Sequence, residues 1–260
     1  MKIAVCFSGQ IRTGLDTASN ILRYIGDLLP ECDFFVHTWD IESASRNTHP
    51  NAEPKPIDQL KIEQFFKVYK PKAIIVDKYD IWRTIPRICG IRHDPVLDLW
   101  YNSMWESIYE VNLLKKRWEE RYHMTYDYVV RIRPDLLFNK DKTLRHDLTL
   151  VIDTNMFVQG EHMSIDHKDR VEDIFWMSRS KTMDRLVEFR HARAHSGWDN
   201  EEFDKIPGFI SMDYHLANWC KAQNLSWRPL DDNRISVHHS VGPSDIVLET
   251  DGDSRRKGQR

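Results

Sequence analysis

Four short apolar runs, each followed by polar residues, constrain this 260-residue chain more than any other feature. They are "KIAVCFS" (2–8), "CDFFVHTWD" (32–40), "KAIIVDKYD" (72–80) and "YDYVVRIRPDLLF" (126–138). Continuous apolar runs of this length are typical of parallel strands that are covered on both faces. We therefore predict a central sheet whose strands include these four segments.

Helical patterns separate the four runs. We predict a helix from about Asp16 to Leu29 that Pro30 stops, a short helix over 57–69, and a long amphipathic helix over 103–123. Strands that alternate with helices predict an α/β fold with a mostly parallel sheet and helices on both faces.

The second half of the chain is less regular. We predict strands at 155–160, 173–178 and 235–240, and helices at 180–192 and 212–223. No break in composition indicates two domains, so residues 1–245 form one predicted domain. The polar segment 246–260 is predicted to be a flexible tail.

Composition excludes several classes of protein. The formal net charge of -3 comes from 37 basic and 40 acidic residues that are mixed along the sequence, which argues against a nucleic-acid partner. No apolar run reaches the roughly 18 residues of a transmembrane helix. The N-terminus has no basic region of the signal-peptide type, so we expect a cytoplasmic protein without a transmembrane segment.

Polar residues follow the predicted strands at the edge where ligands bind open α/β sheets. The first strand ends in Ser8, Gly9, Gln10 and Arg12, the second in His37, Trp39 and Asp40, and the fourth in Arg131, Arg133 and Asp135. Because the carboxyl ends of parallel strands meet at one edge, these side chains are predicted to converge.

Each of these residues has a functional and a structural interpretation. In the functional interpretation, Gly9 allows close backbone approach to a ligand and Arg12 pairs with a phosphate through its planar donors. In the structural interpretation, the segment is an ordinary tight turn. His37 or Trp39 would stack on a base while Asp40 accepts from a ribose, unless Trp39 is a half-buried rim residue. The glycine-rich motifs of dinucleotide-binding and P-loop proteins do not occur.

The end of the fourth run is the strongest candidate. Strand alternation places Arg131 and Arg133 on one face, and Pro134 cannot donate to a central ladder, so pairing must loosen there. In the functional interpretation, Asp135 binds a divalent cation while the arginines hold a diphosphate. In the structural interpretation, the cluster is an Arg–Asp ion pair that closes the strand end.

These segments carry a family resemblance. "MKIAVCFSGQIRTG", "DFFVHTWD", "SMWESIYEVNLLKK", "YDYVVRIRPDLLF" and "EDIFWMSRSKTMDRL", in this order, resemble a group of small glycosyltransferase-like proteins of bacteria and large DNA viruses with the GT-A fold. The resemblance implies transfer of a sugar from a nucleotide-diphosphate donor to a glycan, polysaccharide or glycolipid acceptor. It also implies a nucleotide-binding half over 1–138 and an acceptor-binding half over 139–245.

The resemblance also implies a metal-binding Asp-x-Asp at the end of the fourth strand. The matching tripeptide is Arg133-Pro134-Asp135, which keeps only the last aspartate. Either Asp135 binds Mn²⁺ or Mg²⁺ with a second ligand, for which the resemblance points to His238 or His239, or the arginines replace the metal as the neutraliser of the diphosphate.

An inverting transferase needs a carboxylate to take the proton of the acceptor hydroxyl. Asp173, just before a predicted strand, is the first candidate, and Asp213, which is also a plausible helix cap, is the second. A retaining enzyme needs no such base. Two other functional classes stay open: a different Rossmann-like phosphate-ester hydrolase or nucleotidyltransferase, and a non-catalytic glycan- or partner-binding module.

Overall fold

The structure is a computed structural model and describes residues 1–42, 55–79, 95–159, 171, 174–190, 216–230 and 235–237. The strands are β1 Ile3–Ser8, β2 Cys32–Trp39, β3 Ile41–Glu42, β4 Lys55–Pro56, β5 Ala73–Asp77, β6 Tyr128–Ile132, β7 Leu136–Phe138, β8 Met156–Gln159, β9 Phe175–Ser178, β10 Ser226–Pro229 and β11 Ile235–Val237. The helices are α1 Ala18–Ile25, a 3₁₀ helix Gly26–Glu31, α2 Gln59–Tyr69, α3 Pro95–Tyr122, α4 Leu144–Leu148 and α5 Ser180–Val187, and residues 216–222 are also helical.

Within the described residues, the central sheet has seven strands in the order β10-β8-β9-β6-β1-β2-β5. All neighbours pair in parallel except β9, which is antiparallel to both β6 and β8. This arrangement confirms the predicted α/β class with a mostly parallel sheet.

Both faces of the sheet are covered at β1, as a continuous apolar strand requires, whereas Ile74 and Val76 of the edge strand β5 are each 37% exposed. Ile3, Val5 and Phe7 of β1 share a core with α1 and α2 on one face. Ala4 and Cys6 share the second core with α3 and α5 on the other face. Since side chains alternate along a strand, one run of residues serves both layers.

The first helix is shorter than predicted. It ends at Ile25, because Gly26 adopts a φ of 58° and a 3₁₀ helix follows that contains Pro30. The prediction that Pro30 ends the α-helix at Leu29 was wrong by about one turn, since Gly26 acts first.

The fourth run divides at Pro134 as predicted. The strand β6 ends at Ile132, and Pro134 and Asp135 form a turn. Residues Leu136–Phe138 are a separate strand, β7, which leaves the central sheet and pairs antiparallel with β11. The chain therefore passes from the central sheet to a two-stranded sheet at Pro134, the residue that has no backbone N–H to donate.

Among the described residues, none of the helices combines the length and the apolar character needed to cross a bilayer. The predicted tail at 246–260 lies outside the described residues.

Candidate functional site

The strand order creates a crevice beside β1. From β1 the chain moves to β2 and β5 on one side, and then returns to place β6 on the other side of β1. Ligands of open α/β sheets bind where the strand order reverses in this way, beyond the carboxyl ends of the strands. The predicted residues that follow β1 and β6 therefore lie at the switch point of this sheet.

The loop after β1 has an unusual backbone. Gly9 has a φ of 106°, and Arg12 has a φ of 40°, in the left-handed region that non-glycine residues rarely occupy. The amide of Gly14 donates to the carbonyl of Ile11 at 2.5 Å, which closes a turn around Arg12. A left-handed residue costs about 1–2 kcal/mol, so packing elsewhere must hold Arg12 in place.

That packing comes from the turn after β6. A Cβ added to Gly14 would lie 2.9 Å from Cβ of Pro134, so only glycine fits this contact without a shift. The hydroxyl of Thr17 donates to the carbonyl of Pro134 at 2.5 Å. The β1–α1 loop and the β6–β7 turn are thereby joined into one unit.

A three-residue ionic cluster, Arg12, Arg133 and Asp135, lies between these two segments. Arg133 Nε donates to Asp135 Oδ1 at 3.0 Å and Arg133 Nη2 donates to Oδ2 at 2.8 Å, which is a bidentate pair. Arg12 Nη1 approaches Asp135 Oδ2 at 3.4 Å, and Arg12 Nε donates to Gln10 at 3.0 Å. The predicted convergence of the first and fourth strand ends is therefore confirmed.

Two arginines share the one buried carboxylate of Asp135. Burial opposes ionisation of Asp135, but the charges and hydrogen bonds of Arg133 and Arg12 outweigh it and lower the pKa of that carboxyl. Burial and the neighbouring charge of Arg133 lower the pKa of Arg12, although arginine stays protonated in proteins. Glu42 also favours the cation of Arg12, and the two arginines are 22% and 23% exposed.

Arg131 is separate from this cluster. It is 2% exposed, its Nε donates to Ser8 Oγ at 2.6 Å, and its guanidinium lies 5.3 Å from the ring centre of Trp176. The strand pattern placed Arg131 with Arg133, but Arg133 follows the end of β6, where alternation no longer fixes side-chain direction. Arg131 and Ser8 therefore belong to the interior of the second core.

The predicted nucleoside-binding residues make internal contacts. Trp39 is 2% exposed and packs edge-on against His37 and Tyr79, so it presents no ring face to a ligand in this structure. His37 is also fully buried. Asp40 Oδ1 accepts from the amide of Tyr79 at 2.9 Å, which ties the end of β2 to the segment after β5.

Four predicted residues, Asp173, Asp213, His238 and His239, lie outside the described residues. The strand that precedes the two histidines is described. In β11, Val237 pairs with Leu136, the residue that follows Asp135.

The described residues do not assemble the metal site that the family resemblance implies. Both oxygens of Asp135 already accept from guanidinium groups, and the carboxylate is 2% exposed. Within the described ranges, no group of three histidine, cysteine, aspartate or glutamate side chains is close enough to hold a metal ion. A divalent cation on Asp135 would have to share these oxygens with the guanidinium groups.

Two polar residues at this edge were not predicted from the sequence. Ser107 of α3 accepts from the amide of Gly9 at 2.7 Å, and Asp77 at the end of β5 contacts His37 at 3.1 Å. Asp77 follows an apolar run, so the rule that selected the other strand ends would have found it. Ser107 had no comparable signal, because a single serine on a helix is ordinary.

No protein-family model and no curated protein sequence matches this chain. Among solved structures, the crystal structure of mouse xyloside xylosyltransferase 1 in its apo form aligns over 88% of this chain and 84% of that chain, with 10% sequence identity and a TM-score of 0.45. A TM-score below 0.5 does not establish a common fold.

Proposed function

We propose that this protein is a glycosyltransferase of the GT-A type. It would move a hexosyl or pentosyl group from a nucleotide-diphosphate donor to a glycan, polysaccharide or glycolipid acceptor, in the cytoplasm of a bacterium or of a virus-infected host cell. The observation that carries this proposal is the cluster of Arg12, Arg133 and Asp135 at the switch point of the sheet.

The cluster suits a departing diphosphate. In sugar transfer the acceptor oxygen forms a bond to the anomeric carbon while the bond to the diphosphate breaks, and the diphosphate leaves with the electron pair. Donors that are fixed before the reaction stabilise this negative charge best. Arg12 and Arg133 are held by Asp135 and by the joined loops, so they meet this requirement without further ordering.

We propose that the two arginines act here in place of a metal ion. Planar guanidinium groups match phosphate oxygens well, and both arginines are partly exposed. The competing hypothesis keeps Mn²⁺ or Mg²⁺ on Asp135 with His238 or His239 as a second ligand. That site would supply the same neutralisation through the metal.

The roles of the other predicted residues stay proposals. Gly9 and Gln10 would border the phosphates from the loop after β1. Asp173, and after it Asp213, would take the acceptor proton if the reaction inverts configuration. His37, Trp39 and Asp40 would affect the nucleoside indirectly, since the rings of His37 and Trp39 are buried and Asp40 accepts from the amide of Tyr79.

A thermal-shift experiment tests the proposal. The protein is titrated with UDP, GDP, dTDP and CDP, each in Mn²⁺ and in EDTA, because a ligand that binds only the native state raises its stability. We expect one diphosphate to stabilise the protein in EDTA, and we expect slow hydrolysis of the corresponding donor sugar. No response to any of the four would contradict the glycosyltransferase proposal, and hydrolysis of simple phosphate esters would favour the hydrolase.

Substitution of Asp135 separates the two neutralisation hypotheses. If the arginines bind the diphosphate, Asp135→Asn keeps the shift in EDTA, because both cations remain and the asparagine Oδ1 still accepts a hydrogen bond from a guanidinium group. If Asp135 holds a metal, the same variant loses a shift that requires Mn²⁺. A wild-type shift seen only with Mn²⁺ and absent in Asp135→Asn would overturn the arginine hypothesis.

A further inference from the structure

Four polar groups at the carboxyl edge of the sheet form one continuous hydrogen-bond chain. The amide of Gly9 lies 2.7 Å from Ser107 Oγ, which lies 2.9 Å from His37 Nδ1. On the other side of the ring, His37 Nε2 lies 3.1 Å from Asp77 Oδ2. The chain joins the start of the β1–α1 loop to α3, β2 and β5.

The chemistry of the groups fixes the direction of these bonds. Burial lowers the pKa of His37, so the ring is neutral and only one of its nitrogens carries a hydrogen. A carboxylate only accepts, so His37 Nε2 carries the hydrogen that is donated to Asp77, and Nδ1 is left as an acceptor. Ser107 then donates its one hydroxyl hydrogen to Nδ1 and accepts from the amide of Gly9. The carbonyl oxygen of His37 is a second possible acceptor for the same hydroxyl hydrogen, but it lies 3.3 Å from Ser107 Oγ, whereas Nδ1 lies at 2.9 Å.

Burial argues against a nucleophilic role for this serine. A serine, a histidine and an aspartate in sequence resemble the triads of acyl-transfer enzymes. However, Ser107 and His37 are both 0% exposed, and the serine oxygen already accepts a backbone hydrogen bond. A substrate cannot reach it, so the chain must act through the group at its end, the amide of Gly9.

Gly9 is the residue at which the chain leaves β1. Its φ of 106° requires glycine, and glycine has no side chain that would anchor it. Within the described residues, the bond to Ser107 ties this flexible position to a helix in the core. Three residues later the same loop presents Arg12 to Asp135 at 3.4 Å.

We propose that Ser107 and His37 are positioning residues that fix the β1–α1 loop in the conformation that binds the diphosphate. Asp77 sets the hydrogen-bond direction by holding the proton on Nε2 of His37. The ligand in this inference rests on the proposed glycosyltransferase function, but the ordering of the loop does not.

The first measurement concerns the loop alone. Ser107→Ala removes the acceptor of the Gly9 amide, and Ser103→Ala removes another buried hydroxyl from the same helix one turn earlier. Amide hydrogen exchange is followed in both variants and in the wild type. We expect the exchange rate of the Gly9 amide to be at least about 10-fold higher in Ser107→Ala than in the wild type, and to be unchanged in Ser103→Ala.

The second measurement concerns binding. The dissociation constant of the nucleoside diphosphate that stabilises the wild type is compared between the two variants at a temperature where both are folded. We expect about a 10-fold weaker complex for Ser107→Ala and little change for Ser103→Ala.

The outcomes separate the two proposals. Unchanged exchange at Gly9 in Ser107→Ala overturns the positioning role, whatever the ligand is. Faster exchange with unchanged affinity overturns the link between loop order and binding. If no nucleoside diphosphate binds the wild type while exchange at Gly9 is faster in Ser107→Ala, the proposed function fails and the ordering role stands.

Discussion

Lys115 and Asp135 are both buried charges, at 0% and 2% exposure, but their surroundings differ in one respect. The ammonium of Lys115 contacts Glu119 at 2.9 Å, Asp184 at 2.8 Å and Ser180 at 2.6 Å. The carboxylates that pair with it are 11% and 25% exposed. All three donors of the lysine are thus directed at partners within the protein.

The cluster around Asp135 has the opposite sign. Here the buried group is the anion, and the two groups that reach the solvent are cations. The buried lysine holds two partly exposed carboxylates, an arrangement that stabilises the structure at best. The buried Asp135 carboxylate instead holds two partly exposed guanidinium groups in a fixed geometry. The comparison indicates that the partly exposed charges, rather than the buried one, decide which cluster suits a ligand.

The largest expected effect is on stability and concerns Lys115. In Lys115→Ala, Glu119 and Asp184 lose their buried cation, which we expect to lower the free energy of unfolding by about 3 kcal/mol. Urea denaturation measures this change, with Arg117→Ala on the exposed side of α3 as the control. Weaker diphosphate binding by the folded variant would contradict the purely structural role of this cluster.

The next effect is on binding and concerns Arg133. Arg133→Ala removes one of the two partly exposed cations, and we expect about 10- to 100-fold weaker diphosphate binding, or about 1.4–2.8 kcal/mol. Arg133→Lys should restore only part of it, since lysine lacks the planar fork that pairs with Asp135. Isothermal titration in low and high salt checks both variants, and the exposed Arg145→Ala serves as the control. Equal affinity for wild type and Arg133→Ala would remove this cluster from the proposed site.

A smaller effect extends the comparison to a third buried charge. Burial raises the pKa of Glu106 from 4.5 to about 7, and the cation of its partner Arg190 only partly opposes this shift. The unfolded chain therefore releases the proton at lower pH than the native protein does, so stability falls as the pH rises from about 4.5 to 7.

Glu106→Gln removes this titration. Between pH 5 and pH 7.5, we expect the unfolding free energy of the wild type to fall by about 2 kcal/mol relative to that of the variant. Urea denaturation at several pH values measures it. A constant difference over this range would show that Glu106 is ionised throughout in the native protein.

The sequence predicted the fold and the meeting of Arg12 with Asp135 because both follow from strand ends. Parallel strands bring their carboxyl ends to one edge whatever the details of packing, and Pro134 marks where pairing stops. The burial of Asp135 was not predictable in the same way. It depends on Gly14 and Thr17 packing against Pro134, which are contacts between distant segments with no local pattern.

His37 shows a different limit of sequence reasoning. Its position at a strand end suggested contact with a nucleotide, yet its ring contacts Ser107 and Asp77 inside the protein. Strand alternation determines the face on which a side chain lies, but only the helix packed on that face determines whether the side chain reaches a ligand. Arg131 was misplaced for a related reason, since the strand ends one residue before Arg133.

The bond between Arg12 and Asp135 also has a consequence for how the chain folds. These residues are 123 positions apart, and Thr17 and Pro134 are 117 apart, so neither contact forms before β1 and β6 have paired. Long-range pairing of this kind costs loop-closure entropy and slows folding. During synthesis, more than a hundred residues follow β1 before β6 is made. Until then, the turn after β6 is not present to pack against the left-handed turn at Arg12. Anion binding by this cluster would therefore report that β1 and β6 have paired.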